Sequence, residues 1–275
     1  MDFWISILRV LDTRMDVPQP YGLFHLVAFA FFILAAVLLC ATHKPGDLQR
    51  VRRVVQITAV TVLILEIYKQ INFTFQVVDD ALVIDYPWYA FPFQFCSTPM
   101  YVGLLAGFTR KGRFHHAMCA YLATYAVFAG LCVMCYPNNV FVPTIGINIQ
   151  TMICHGSMIT VGVYLLYSGY VKLEHKTILK ALPVFVGAVI IAMALNEVAY
   201  VTGLLETDGF NMFYISPHCE PHLPIYSLIQ RLLPYPVCLV IYVCGFTLAA
   251  YLMLLIAMGI SRLAKRRNNK QLASI

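Results

Sequence analysis

Charge is what this chain has least of: only 12% of its 275 residues are Asp, Glu, Lys or Arg, about half the roughly 25% usual for a soluble domain. Hydrophobic residues make up 60%, and together these two figures exclude a water-soluble globular fold. Polar connecting sequence is scarce too, so no room is left for a separate soluble domain beside the apolar runs. Neither tail shows a basic n-region followed by an A-x-A site, so a cleaved leader is not expected. No internal repeat of clear period is visible, which leaves the inverted repeats of many secondary transporters without support.

What is present is a series of about seven apolar runs, at 21–41, 53–75, 91–108, 115–136, 147–169, 179–203 and 233–260. Each is close to the roughly 20 residues with which an α-helix crosses a bilayer core. The expected fold is an all-α polytopic bundle forming a single transmembrane domain over 1–275. The net charge of +6 is a topology signal rather than a nucleic-acid footprint. Connections after spans one, three, five and seven hold Lys44, Arg50, Arg52, Arg53, then Arg110, Lys111, Arg113, then Lys172, Lys176, Lys180, then Arg262, Lys265, Arg266, Arg267 and Lys270. These are 15 of the 19 basic residues. The opposite face keeps Arg9, Arg14 and Arg231 and collects Asp2, Asp12, Asp16, Asp79, Asp80, Asp85, Glu206, Asp208 and Glu220. The positive-inside rule therefore puts the N-terminus outside and the C-terminus in the cytoplasm; the expected location is the plasma membrane of a bacterium.

Residues 2–14 alternate Phe3, Trp4, Ile5, Ile7, Leu8, Val10 and Leu11 with Asp2, Arg9, Asp12 and Arg14, the pattern of an amphipathic helix lying on the outer leaflet. Of nine cysteines, Cys40, Cys96, Cys119, Cys132, Cys154, Cys238 and Cys244 fall inside apolar spans, where a cysteine ordinarily serves as a small core hydrophobe. Cys135 and Cys219 both fall on the outer face, where a disulfide is chemically allowed. Cys132-Val-Met-Cys135 has the spelling of a redox motif but sits in a membrane helix without a βαβ context. The longest connection, 204–232, contains Ser216-Pro217-His218-Cys219-Glu220-Pro221-His222. Two prolines restrict how those ligands could converge, so it reads as a polar loop rather than a metal site. Asn72-Phe73-Thr74 spells a glycosylation acceptor too close to the membrane to be used.

The informative residues are the polar ones within the spans, because an ionisable group in hydrocarbon is costly unless it faces a bundle interior or a wet cavity. His25, Glu66, Lys69, Asn72, Cys96, His155, Asn196 and Glu197 all lie roughly 5 to 13 Å from the outer ends of their spans, at about 1.5 Å of rise per residue. They describe a polar pocket in the outer half above an apolar floor, which argues against a pore. Glu66, Lys69 and Asn72 follow at i, i+3 steps and share one helix face. Cys96 and His155, at similar depth, are the minimum apparatus for nucleophilic acyl transfer: an imidazole generates a thiolate, and the thiolate attacks a carbonyl. The competing reading is a small-solute transporter or ligand-binding protein using the Glu66 and Lys69 pair; a receptor ranks last, because the inner loops offer little surface to a signalling partner.

Several landmarks resemble the YwaF-like, transmembrane protein 164 family. They are Leu65-Glu66-Ile67-Tyr68-Lys69; Pro92-Phe93-Gln94-Phe95-Cys96; Asn148-Ile149-Gln150 followed by His155 and Val163-Tyr164-Leu165-Leu166; and Asn211-Met212-Phe213 with Pro217. The resemblance implies a cysteine-dependent acyltransferase acting on phospholipids, its animal member placing polyunsaturated chains on ether lysophospholipids. Carried over, the active cysteine falls on Cys96 and the fifth-span histidine on His155. The expected substrate-binding set is Glu66, Lys69, Asn72, Asn196, Glu197 and Asn211. The animal pattern has Pro before and His after the cysteine, where this chain has Phe95 and Ser97, and bacterial relatives often have His where it has Gln94, which leaves His155 as the expected base. The implied partners are an acyl-donor phospholipid and a lysophospholipid in the membrane, without nucleic acid; neither metal nor organic cofactor is required.

Overall fold

The computed structural model describes residues 2–138, 140–204, 209–219 and 224–273. After an outer helix α1 (Asp2–Leu11) the chain passes through α2 (Leu23–Ala41), α3 (Leu48–Thr74), α4 (Thr98–Phe108) and the consecutive pair α5 (Arg113–Leu122) and α6 (Tyr125–Cys135). It continues through α7 (Ile145–Tyr167), α8 (Lys176–Val201), α9 (Pro224–Leu232) and the long α10 (Tyr235–Ala273). Among the described residues six stretches are long and apolar enough to cross a bilayer: α2, α3, the α5–α6 run, α7, α8 and the first part of α10. Helix is the natural solution there, since hydrocarbon offers no partner to a backbone N–H or C=O. The protein is an all-α, multi-pass membrane protein.

The third expected span is the exception. Residues 91–108 are helical only over the 11 residues of α4, a rise of about 16 Å against a hydrocarbon core of about 30 Å. The segment nevertheless runs the length of α3: Gln70 donates to the Ala90 carbonyl at one end, and Arg52 donates to the Gly107 and Thr109 carbonyls at the other. Proline explains the break. Pro92 holds Phe91 in extended backbone (φ −50°, ψ 133°) by its clash with the preceding residue, whereas Pro99 sits in the first turn of α4, where its missing N–H costs nothing. Between them the Gln94 carbonyl accepts from the N–H groups of both Ser97 (2.9 Å) and Thr98 (3.0 Å). Among the described residues, six helical runs are thus long enough to cross, and the expected third span is a half-helical segment.

The connection after α8 also departs from expectation. In its described part the chain is a plug rather than a polar loop, with Met212, Phe213 and Ile215 fully buried and Phe210 nearly so. Asn196 of α8 donates to the Met212 carbonyl (3.0 Å) and accepts from the Met212 N–H (2.7 Å). Gln94 donates to the Asn211 carbonyl (3.0 Å) and accepts from the Phe213 N–H (2.9 Å). Such non-helical backbone is tolerated in a membrane protein because protein groups satisfy it. Glu206, Asp208, Glu220 and His222 lie outside the described residues, and with them half of the possible metal ligands in the 216–222 run. Cys132, Cys135 and Cys219 are free thiols rather than disulfide partners, and the Cys219 thiol donates to the Phe210 carbonyl (3.6 Å).

On the outer face, a hairpin of β1 (Phe75–Val78) and β2 (Ala81–Ile84) pairs antiparallel with Phe75 opposite Ile84. Its turn places Asp79 and Asp80 at φ 49° and 60°, both left-handed as a two-residue I′ turn requires. The segment after α1 is tied to the bundle by Tyr68, whose hydroxyl donates to the Leu11 carbonyl (2.7 Å), and by Met15, whose N–H donates to the Pro143 carbonyl (2.7 Å). Arg9 pairs with Asp80 across this layer.

α7 is the central helix, packed against α2, α3 and α6. Small residues allow the close approach, as is general where packing rather than the hydrophobic effect joins membrane helices. A Cβ on Gly130 of α6 would sit 2.6 Å from the His155 carbonyl oxygen of α7. Gly130→Ala is therefore expected to cost about 1–3 kcal/mol through overpacking, seen as a lower Tm in detergent. Gly187→Ala in α8, where a Cβ meets nothing within 4 Å, should leave Tm unchanged, and equal Tm values for the two variants would show that Gly130 does not set the α6–α7 spacing.

Candidate functional site

A cavity of about 580 Å³ occupies the outer half of the bundle. α3 supplies Glu66 and Lys69, the broken segment supplies Phe95 and Cys96, and α7 supplies Gln150, Cys154 and His155. Phe213 of the plug and Tyr242 and Phe246 of α10 close the far wall. The lining is mainly apolar and aromatic, with one polar stripe. Directly below it lies a void of about 40 Å³ between residues such as Val55, Ala59, Met100 and Met158, with Cys154 touching both spaces. This is the outer-half pocket with an apolar floor that the spacing predicts.

The polar stripe centres on Glu66. One carboxylate oxygen accepts from Lys69 Nζ (2.7 Å) and Gln70 Nε2 (2.7 Å), and the other accepts from Gln150 Nε2 (3.2 Å). The side chains of Lys69 and Glu66 are only 16% and 7% exposed. A buried ion pair repays its desolvation only when further hydrogen bonds satisfy it, and the two glutamines supply them.

Cys96 is half-buried at the turn into α4. His155 is buried in the middle of α7, its Nδ1 2.7 Å from the Thr151 carbonyl oxygen. A carbonyl only accepts, so Nδ1 carries the proton and Nε2 presents a lone pair. That Nε2 is buried without a hydrogen-bond partner. Cys96 and His155 line the same cavity but no hydrogen bond joins their side chains. The two elements meet instead through the Cys154 thiol, which donates to the Cys96 carbonyl (3.8 Å).

The remaining expected residues lie elsewhere. Asn72 donates to the Leu11 carbonyl (3.2 Å) and lines a separate outer cavity of about 650 Å³ between α1 and the hairpin; its side-chain nitrogen, the atom a glycan would need, is thereby engaged. Asn196 and Asn211 are occupied with the plug, the latter accepting from the Ser216 N–H (2.9 Å). Glu197 is exposed and pairs with His218 (3.1 Å), whose ring stacks on Tyr200 at 3.6 Å. His25 bonds the Met134 carbonyl (3.0 Å) and fixes the outer end of α2 to α6. The structure therefore gathers Glu66, Lys69, Cys96 and His155 around one cavity and leaves the others outside it. Sequence reasoning missed Gln70, Gln94 and Gln150 as site-forming residues. Gln70 was detectable as a polar side chain one turn from Glu66, but nothing in the spacing pairs Gln94 with the outer loop.

The inner and outer cavities share Phe73, Tyr89 and Val142, so the mainly apolar chamber lies directly beneath a polar vestibule. Fold and site thus define a multi-pass membrane protein with a mainly apolar chamber toward one end of the bundle. The chain belongs to the TMEM164 family, whose model matches residues 20–257. That match spans every element lining the chamber and begins after α1. No curated protein and no solved structure matches the chain.

Lys69→Met would strip Glu66 of its only charged partner among the described residues. Its expected cost is about 3 kcal/mol, in the range for breaking a buried pair, and Glu66→Gln combined with Lys69→Met should recover most of it. Thermal unfolding of the two variants checks this; a double variant less stable than Lys69→Met would show that the glutamines, not the charge pair, hold Glu66.

Proposed function

We propose that the protein is a membrane phospholipid acyltransferase in which Cys96 is the nucleophile and His155 the base. The observation that carries this reading is that a thiol and an imidazole with an unpartnered, lone-pair-bearing Nε2 line one aromatic chamber. In the first step the Cys96 proton passes to His155 Nε2 as Sγ attacks the acyl ester of a donor phospholipid. The tetrahedral intermediate collapses by breaking the ester C–O bond, and the departing lysolipid oxygen takes the proton back from His155, leaving a thioester on Cys96. In the second step a lysophospholipid hydroxyl gives its proton to Nε2 and attacks the thioester, and the leaving thiolate recovers the proton. Substrate binding must bring Sγ and Nε2 within reach of each other, as catalytic hydrogen bonds often tighten only in the Michaelis complex.

Of the three groups suited by depth to hold the oxyanion, Lys69, Asn72 and Asn196, only Lys69 lines the chamber, and a cation aimed at developing charge is the usual largest contribution to such a reaction. The vestibule above, with Arg9, Arg14, Asp12 and Asp80 in its wall, would take the headgroup while the acyl chain enters between the aromatic rings. Our reading places the enzyme in a bacterial plasma membrane with this chamber in the outer leaflet, and it requires no cofactor. It is preferred over a solute carrier because Glu66 is held by three donors and Glu197 lies outside the chamber.

Incubating the purified protein with isotopically labelled phospholipid and measuring intact mass tests the proposal. Wild type and Cys244→Ala should acquire a hydroxylamine-sensitive acyl adduct, Cys96→Ala none, and His155→Ala should acylate about 10²-fold more slowly, the lower range for a general base. A wild type unmodified by any phospholipid donor, or a Cys96→Ala variant that acylates normally, would reject it.

A further inference from the structure

At the opposite, cytoplasmic face a third cleft of about 460 Å³ opens between the end of α7 with its following turn and the distal part of α10. Lys172, Arg262 and Lys265 line it, and no acidic residue does. None of the three cations has an ion-pair or hydrogen-bond partner among the described residues. The nearest carboxylate in sequence, Glu174, is already bound to Lys180 (2.7 Å), whose hydrogen bond holds the Glu174 carboxyl below the ordinary carboxylate range. The cleft therefore gathers three cations without a carboxylate in its lining, Lys172 acting on Glu174 only at longer range. Tyr167 and Ser261 add hydroxyls to the same wall, while Leu166 and Met258 make its membrane side apolar.

Two features identify an occupant. The apolar sequence of α10 gives way at Ser261-Arg262-Leu263-Ala264-Lys265-Arg266, and the cleft is lined from Met258 to Lys265 of that helix, so it stands at the end of the apolar part of α10. Its lining changes from aliphatic to cationic across that boundary, which matches a molecule whose phosphate is anionic and whose remainder is apolar. Basic clefts between helices on the cytoplasmic side are the usual form of an anionic-lipid site. We propose that this cleft binds the phosphodiester headgroup of an anionic inner-leaflet phospholipid. Its acyl chains lie along Leu166 and Met258, and its phosphate bridges the α7–α8 turn to α10. The site is independent of the acyl-transfer chamber.

Native mass spectrometry and thermal unfolding of the full chain, with phosphatidylglycerol, phosphatidylcholine or inorganic phosphate added, test the assignment. Phosphatidylglycerol should remain bound and raise Tm, whereas phosphatidylcholine and inorganic phosphate should not. In Lys172→Gln/Arg262→Gln/Lys265→Gln the affinity for phosphatidylglycerol should fall by at least about tenfold, given the contribution of each cation near a membrane surface. Lys44→Gln/Arg110→Gln/Lys111→Gln removes the same charge from the same face outside the cleft and should retain wild-type affinity. Equal loss in both triple variants would mean diffuse surface charge, and a Tm rise with inorganic phosphate alone would mean a free anion; either result overturns the lipid site. Should the cleft variant not fold, a salt titration of wild type decides: release of phosphatidylglycerol at high salt is expected, and retention at 1 M salt would overturn the proposal, because screening acts over about 3 Å there.

Discussion

Everything in this molecule depends on how one stretch of non-helical backbone is satisfied within a membrane. A bilayer offers no hydrogen-bond partner, so a chain that leaves the helix between Phe91 and Ser97 must find its partners in protein. Gln94 meets most of that demand. Its carbonyl takes two N–H groups of the turn into α4, and its side-chain amide grips the backbone of the plug on both sides of Met212. The Tyr101 hydroxyl closes the other end by donating to the Pro92 carbonyl (2.9 Å). Cys96 stands in the middle of this arrangement. A continuous helix would have placed it among ordinary packing cysteines; the break sets it at a chamber wall.

The second constraint is electrostatic. Placing Glu66 and Lys69 among apolar side chains is tolerable only because the carboxylate receives three donors, two of them from neutral amides. The result is a polar stripe of net zero formal charge in an otherwise aromatic space. On the proposed acyl-transfer reading, the acyl chain of the substrate meets the rings and its ester meets the stripe. Beneath the chamber the helices pack closely through Gly103, Gly107 and Gly162, and the void that adjoins its floor is only about 40 Å³.

Much of this was written in the linear chain. Low charge and the long apolar runs determined a polytopic helical protein, because hydrophobic matching acts on local composition. The depth of Glu66, Lys69, Cys96 and His155 was also readable, since a helix converts residue number into height. What remained hidden was azimuth and long-range pairing. Height alone cannot distinguish Lys69, which faces the chamber, from Asn196 and Glu197, which share its depth and do not. Nor could it foresee that Asn211-Met212-Phe213, a loop by composition, would be drawn into the core by Gln94 and Asn196. Those hydrogen bonds join residues more than a hundred positions apart or elements that meet only after packing. The sequence by itself determined the class of fold and the height of each polar group along its helix. The tertiary structure alone decided which of those polar groups share a cavity and which are spent holding backbone, because that depends on helix rotation and on satisfying buried amides, neither of which is a local property of the chain.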